Sequence, residues 1–457
     1  MRKTKVELTL LVSFLLVVML AACDQQKDSE PSAPTPHISG VNEYWVAAVG
    51  DDFNSEDTPG RPGKMPACTG PFSIANQEPI TCVPGPNSLF AKRLPSDVMN
   101  HRMADDVDVA VHALSANAGS STNVMIWAHS GSANDINGIP SYYGQASDPA
   151  YVITGGGSSA GEYNAINKPF HAPNQAFTNG ASSESFLSVW DQVQNKYVYL
   201  YYGGGRHTEL PKCTSTDLRH PCPLSSDPSA SVFNDRNERK GWGTGGGPDS
   251  MNIVAPVGRI RVNEMIQGHI YHPIYMNVLC EQNNGTRRMA SFVFPATAAA
   301  GSCQFICTEL RNPCTNTDKA PPAGALFFLD YTDAQLALLK NYMPPWQYPM
   351  VEALTHYGGY AGDTGNPLHP SRMESEDAYK LAGIEDPIFR WLQGQDGISP
   401  ACGVTSGQCN LPWSNFAVAG RACPADGLCD ITRHIHIADS CVAKGLAGMK
   451  ASEGACF

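Results

Sequence analysis

Glu264, His269, His272, Tyr357 and Asp363 are the side chains of this sequence best suited to moving a proton or attacking a bond. His269 and His272 fall in Gly-His-Ile-Tyr-His-Pro (268–273), ahead of an apolar run, and Asp363 sits in a glycine-rich stretch after a helical segment. Polar residues on loops held by a rigid scaffold are the usual geometry of a site. A carboxylate pair such as Glu264 and Asp363 suits glycoside hydrolysis, with one group as acid and the other as nucleophile or base. A His–Tyr pair suits a lyase, which abstracts and returns a proton beside a sugar carboxylate. The same residues admit a plain structural role, in which His272 bonds to core backbone and Asp363 orders its loop.

Three other groupings carry chemistry in outline. Gly157-Ser-Ser159-Ala-Gly161 matches the G-x-S-x-G nucleophile elbow, which needs a strand before it and a helix after it. Ala150-Tyr-Val-Ile153 supplies a strand, but Glu162–Pro169 is a poor helix, so a serine hydrolase using Ser159 is a minor alternative. His434-Ile-His436 puts two imidazoles on one face of an extended segment with Asp439 nearby, a start toward zinc or copper if a third ligand converges. No metal or other cofactor is assigned. Asp105-Asp106-Val-Asp108 lacks EF-hand spacing and reads as a solvated acidic surface. Tyr199 and Tyr201, with Trp242, could form a platform on which sugar rings stack; the alternative is an aromatic row facing the core.

The elements that position these residues are mainly strands. Asn123–Trp127, Lys196–Tyr202, His272–Val278, Ser291–Phe294 and Ala325–Leu329 are rich in Val, Ile, Tyr and Phe and are bounded by turn residues. Helices are few. Thr332-Asp-Ala-Gln335 is a capping box before Leu336, Leu338 and Leu339; a second helix runs from Met350 to His356, stopped by Gly358-Gly359; a third lies near Glu374–Ala382. The expected fold is a β-sandwich of jelly-roll type (41–390) with a few peripheral helices and a Cys-rich C-terminal appendage (391–457).

Several segments in fixed order resemble a family of secreted bacterial proteins of uncharacterised activity. They are Pro86-Asn-Ser-Leu-Phe90, Ser188-Val-Trp-Asp191 with Tyr197-Val-Tyr199, Gly268–Pro273, Val293-Phe-Pro-Ala296, Pro321-Pro-Ala-Gly324, and Glu352–Gly358 leading to Asp363-Thr-Gly365. The family often carries Asp-x-His before the Val-x-Asp strand, where this chain reads Ser182-Ser-Glu-Ser-Phe186. The resemblance spans roughly 85–375 and implies one continuous domain; it implies no mechanism.

The N-terminus says where such a chain resides. Arg2, Lys3 and Lys5 precede the apolar run Leu8–Leu20, which ends in Ala21-Ala22-Cys23. This resembles the lipobox of bacterial lipoproteins, implying a cleaved signal peptide (1–22), a lipid on Cys23 and a Pro/Ser-rich tether (23–40). Asp24 resembles an inner-membrane retention signal, so the periplasmic face of that membrane, the outer membrane and the cell surface are the expected locations. Setting Cys23 aside leaves an even number of the 15 cysteines for pairing in an oxidising space. Spacing suggests Cys68–Cys82, Cys213–Cys222, Cys402–Cys409 and Cys423–Cys429, two pairs among Cys280, Cys303, Cys307 and Cys314, and leaves Cys441 with Cys456. A formal charge of −12 disfavours nucleic acid and anionic headgroups, so membrane contact falls to the lipid. The combined expectation is an anchored envelope protein acting on a glycan, either a glycoside hydrolase or polysaccharide lyase or a non-catalytic glycan- or protein-binding lipoprotein.

Overall fold

Two strand runs, Leu326–Leu329, wholly apolar, and Ile274–Val278, apolar but for Asn277, set the centre of the fold, and in the computed structural model every residue of both is buried. A strand that is apolar on both faces must be covered on both, which makes it central rather than peripheral. The structure describes residues 70–80, 89–104, 106–107, 110, 123–127, 138–155, 165–178, 184–203, 208–224, 230–235, 258–278, 293–296, 321–364, 369–370, 374, 377–385, 387, 391, 408–412, 423 and 427–457. All of them belong to one unit, Ala48–Phe457.

In chain order the strands before the first helix are β1 (Asn123–Trp127), β2 (Ser141–Gly144), β3 (Ala150–Ile153), β4 (Phe170–His171), β5 (Glu184–Asp191), β6 (Lys196–Gly203), β7 (Cys222–Leu224) and β8 (Ala230–Asp235). Then come α1 (Val262–Gln267), β9 (Ile274–Val278), β10 (Leu326–Leu329), α2 (Asp333–Leu339), α3 (Tyr348–His356), β11 (Gly359–Thr364), β12 (His369–Pro370) and α4 (Asp377–Leu381). β13 (Gln408–Pro412), β14 (Ile435–Ala438) and α5 (Ser440–Leu446) complete the chain.

The strands form four sheets, ordered β12-β9-β11-β10-β14, β2-β5-β6-β8, β4-β3-β7 and β1-β13. The four-stranded sheet packs Leu187, Val189, Val198 and Leu200 against Tyr151, Ile153, Phe170 and Leu224 of the three-stranded sheet. Its Phe186 and Tyr199 instead enter the main cluster with β9, β10 and β11. The β5–β6 register is pinned by Asp191, whose Oδ1 accepts the Val193 and Gln194 amides at 2.9 and 3.1 Å across the turn. Its Oδ2 accepts the His171 amide at 2.9 Å and so ties β4 to the hairpin.

The helices form where local chemistry demands them. Thr332 caps α2 as its spacing predicts, its Oγ1 accepting the Gln335 amide at 3.3 Å. α3 stops where Gly358 takes φ +78°. The predicted third helix is α4, shorter than expected. α1 is an addition: Glu264 Oε2 accepts the Arg261 amide at 2.8 Å, and Gly268 closes the other end at φ +79°.

The mainly-β expectation holds, as do the disulfides Cys213–Cys222, Cys423–Cys429 and Cys441–Cys456. Jelly-roll connectivity is not what the described strands display. A jelly roll is built from antiparallel pairs, whereas β2 with β5, β3 with β7 and β9 with β11 run parallel. The C-terminal stretch is not set apart either: β14 pairs with β10, and Ile431, Ile435, Ile437 and Val442 lie in the main core. Residues 293–296, expected as a strand end, make a turn in which the Ala296 amide donates to Val293 O at 2.9 Å. Cys68, Cys82, Cys280, Cys303, Cys307, Cys314 and Cys402 lie outside the described residues, as do Cys23 and the leader.

Gly324 tests this packing. It adopts φ +81°, and a Cβ there would overlap the Val293 carbonyl oxygen and Ala296. Gly383, at φ +68°, has open space around it. Both alanine variants should lose about 1–2 kcal/mol to the left-handed backbone, and Gly324→Ala clearly more than Gly383→Ala in urea midpoints. Equal losses would show that the 293–296 turn moves aside freely.

Candidate functional site

The five residues singled out by sequence divide into a sealed pair, an open residue, a packed tyrosine and a distant aspartate. Glu264 and His272 are the sealed pair, each 0 % exposed. His272 Nε2–H donates to Glu264 Oε1 at 3.1 Å, while its Nδ1 lies 2.8 Å from the Pro273 carbonyl oxygen. Arg261 donates to the same Glu264 oxygen at 2.9 Å and to Glu78 Oε1 and Ile80 O at 3.3 Å each. Burial pushes the Glu264 carboxyl up, but Arg261 and His272 outweigh it and hold it down at about 2. A carboxylate so enclosed joins helix, loop and strand.

A second buried group adjoins Arg261. Arg259 donates to Ser188 Oγ at 3.0 Å, and Glu374 accepts the Val262 amide at 3.2 Å and the Tyr379 hydroxyl at 3.4 Å. Burial raises the Glu374 carboxyl, with Arg259 offsetting part of the rise. Burial likewise holds the Tyr143 phenol far above its usual range, with Glu78 adding to the effect. These bonds tie β5 to the segment before α1, and Glu374 to α1 and α4.

His269 is different. It follows directly after the glycine that ends α1, and its amide donates to Glu264 O at 3.1 Å, so the helix sets its position. Its Nδ1–H donates to Glu352 Oε2 at 2.7 Å, and the two side chains keep 15 and 13 % of their surface open. Tyr348, one helical turn before Glu352 on α3, donates to Glu352 Oε1 at 3.2 Å. Tyr271 stacks on the His269 ring, with centroids 5.7 Å apart and planes 7° from parallel. Burial, reinforced by Glu352, raises both tyrosine phenols, which therefore stay protonated at neutral pH. Lys340 sits over the Tyr348 ring, 5.4 Å from its centroid. Tyr357 is buried in a cluster with Ile80 and Tyr271.

Asp363 stands opposite Asn277, beyond a register shift in the β9–β11 ladder, whereas His272 precedes the start of that ladder. Four residues of strand, about 13 Å, separate Asp363 from the Gly359 end, so the backbone does not bring Asp363 to the end of the ladder where His272 and Glu264 lie. Tyr199 is fully buried, stacked on Phe186 at 5.6 Å and 5°, which removes it as a sugar platform; Tyr201 is half-buried beside the same ring. Ser159 and Trp242 lie outside the described residues.

His436 lies on β14, but His434 precedes the strand at the end of a short turn, and Asp439 is not their partner: it caps α5, accepting the Cys441 amide at 2.9 Å. The imidazoles meet Asp330 and Asp106 instead. Among the described residues, His101, Cys441 and Cys456 come together as metal-ligand types, yet both cysteines are spent in one disulfide.

Compared with family models, curated proteins and solved structures, the chain matches none. Among the described residues no helix is long and apolar enough to cross a membrane. Sequence reasoning missed Glu352, although Tyr348 and Glu352 at i, i+4 on a helix was a readable pairing.

Removing one partner of a buried ion pair costs about 3–5 kcal/mol, so Glu264→Gln should destabilise the chain by that order in chemical denaturation. Because the folded Glu264 carboxyl lies below its ordinary value, its stabilisation is present above the usual carboxylate range and fades as pH falls toward about 2. The variant should lose that part of the acid dependence. An unchanged acid limb would show that Glu264 is not the group being titrated.

Proposed function

We propose that this chain is an exported, lipid-anchored protein of the bacterial envelope that acts on acidic carbohydrate, with His269 as the proton-transfer residue. The observation that carries this reading is the His269–Glu352 hydrogen bond of 2.7 Å, partly open to solvent between two tyrosines. A carboxylate on Nδ1 fixes the imidazole's tautomer and leaves Nε2 to take a proton. Such a dyad fits β-elimination from a uronate. Nε2 removes the proton next to the sugar carboxylate, and the bond to the leaving oxygen breaks as the double bond forms. Lys340, beside Tyr348, supplies positive charge for that carboxylate. Glycoside hydrolysis, which needs two flanking carboxylates, is less well served, since the backbone does not bring Asp363 to the end of the ladder where Glu264 lies.

The lipobox at Cys23, the tether and the even remaining cysteines support export and anchoring. The resemblance to secreted bacterial proteins supports the same setting. A second reading, a glycan-binding lipoprotein without catalysis, is favoured by the sealing of Glu264 and His272.

The two readings separate in one assay. The purified chain is incubated with a panel of uronate-containing polysaccharides and followed by the ultraviolet absorbance of unsaturated uronates. His269→Ala and Glu352→Gln should each lower the rate by about a hundredfold or more while circular dichroism stays unchanged. Polysaccharide binding without product from any substrate would favour the non-catalytic reading.

A further inference from the structure

Asp106, His436, Asp330 and His434 make a single line of contacts across three distant stretches of chain. His436 Nδ1–H donates to Asp106 Oδ2 at 2.7 Å, and its Nε2 faces Asp330 Oδ2 at 3.4 Å, an ion-pair distance longer than a good hydrogen bond. His434 Nδ1–H donates to the other Asp330 oxygen at 2.6 Å. Arg102 stands 3.8 Å from Asp106 Oδ1 and 3.5 Å from His436 Nδ1, so it shares Asp106 with the imidazole. The His436 ring is buried against Phe328, and His434 lies on Tyr331.

What this line joins is the outer edge of the five-stranded sheet. β14 is the last strand of that sheet, and residues 101–103 run along its free side. The Met103 amide donates to Ile437 O and the Asp439 amide donates to His101 O, each at 2.8 Å. An uncovered edge strand presents unpaired backbone groups, and this short segment supplies the cover. Asp106, immediately after it, is the side chain that reaches into the sheet.

We propose that the proton on His436 is a latch that, through Asp106, holds residues 101–103 over the β14 edge, and that losing this proton releases them. An imidazolium donates from both nitrogens at once, whereas a neutral ring turns one lone pair toward a carboxylate. Burial disfavours the charged ring, but Asp330 and Asp106 outweigh it and lift the His436 pKa above the ordinary imidazole value. Burial also pushes Asp330 up, yet His434 and His436 hold it well below the usual carboxylate range. The sign follows. The His436 contribution is complete below the ordinary imidazole value and disappears as pH rises through the raised one; the Asp330 contribution disappears only in strong acid. The charged groups facing His436 are Asp106 and Arg102 on the covering segment and Asp330 at the end of β10. His434, just before β14, acts through Asp330.

Hydrogen exchange by mass spectrometry on the full chain tests the latch, with rates corrected for the chemical effect of pH. Peptides containing Met103 and Asp439 should lose at least about tenfold in protection across the alkaline titration of His436, while peptides from β9 and β11 keep theirs. Asp106→Asn should move that transition to lower pH, and His436→Gln should remove it. Constant protection through the titration, or the same transition in His436→Gln, would overturn the proposal.

Discussion

The guanidinium of Arg261 is the contact on which the rest of this structure hangs. It is buried, and a buried cation is tolerable only when its desolvation is offset by close, well-directed acceptors. Here the acceptors come from different parts of the chain: Glu78 and Ile80 from an early loop, Glu264 from the first turn of α1. Glu264 passes the constraint on to His272, which leads into β9. One charge therefore fixes the order of a loop, a helix and a central strand. An apolar side chain in its place could fill the volume but would not choose between those partners.

Burial then sorts the two histidines of one short motif. His272 and His269 are three residues apart, and each is paired with a glutamate. The first pair is enclosed and binds elements together; the second opens to solvent and can exchange a proton with something outside. The helix end does the sorting. Gly268 turns the chain out of α1, after which His269 meets Glu352 on α3 while His272 returns to Glu264 on α1. A parallel case is Asp191, a buried carboxylate that accepts backbone amides and so anchors the β5–β6 turn.

Local features of this fold were legible in the sequence, and long-range ones were not. The Thr332–Gln335 cap, the stop at Gly358 and the continuous strands at β9 and β10 follow from neighbouring residues alone. α1 escaped because arginine is not a capping side chain, and because Glu264 looked like a catalytic acid when it was in fact capping its own helix. The parallel pairs were unreadable for a plainer reason: β2 and β5, or β9 and β11, are joined by long excursions that leave no spacing to recognise. The same holds for Asp330 with His434 and Asp106 with His436, whose partners lie 104 and 330 residues apart. Sequence identified the histidines in each case and assigned them the wrong companions.

The placement of β14 has a consequence for how the chain comes to be folded. β10 waits for a partner that arrives over a hundred residues later, and β1 pairs with β13 across a still longer interval. Sheets closed by such distant segments form slowly and leave apolar edges open in the meantime. A chain delivered from its N-terminus cannot finish its main sheet until nearly all of it has emerged. Until then Phe327 and Phe328 lack the strand that flanks them. Addition of β14 is thus the closing step of the five-stranded sheet, and a protein lacking β14 and α5 would be left with an unfinished core.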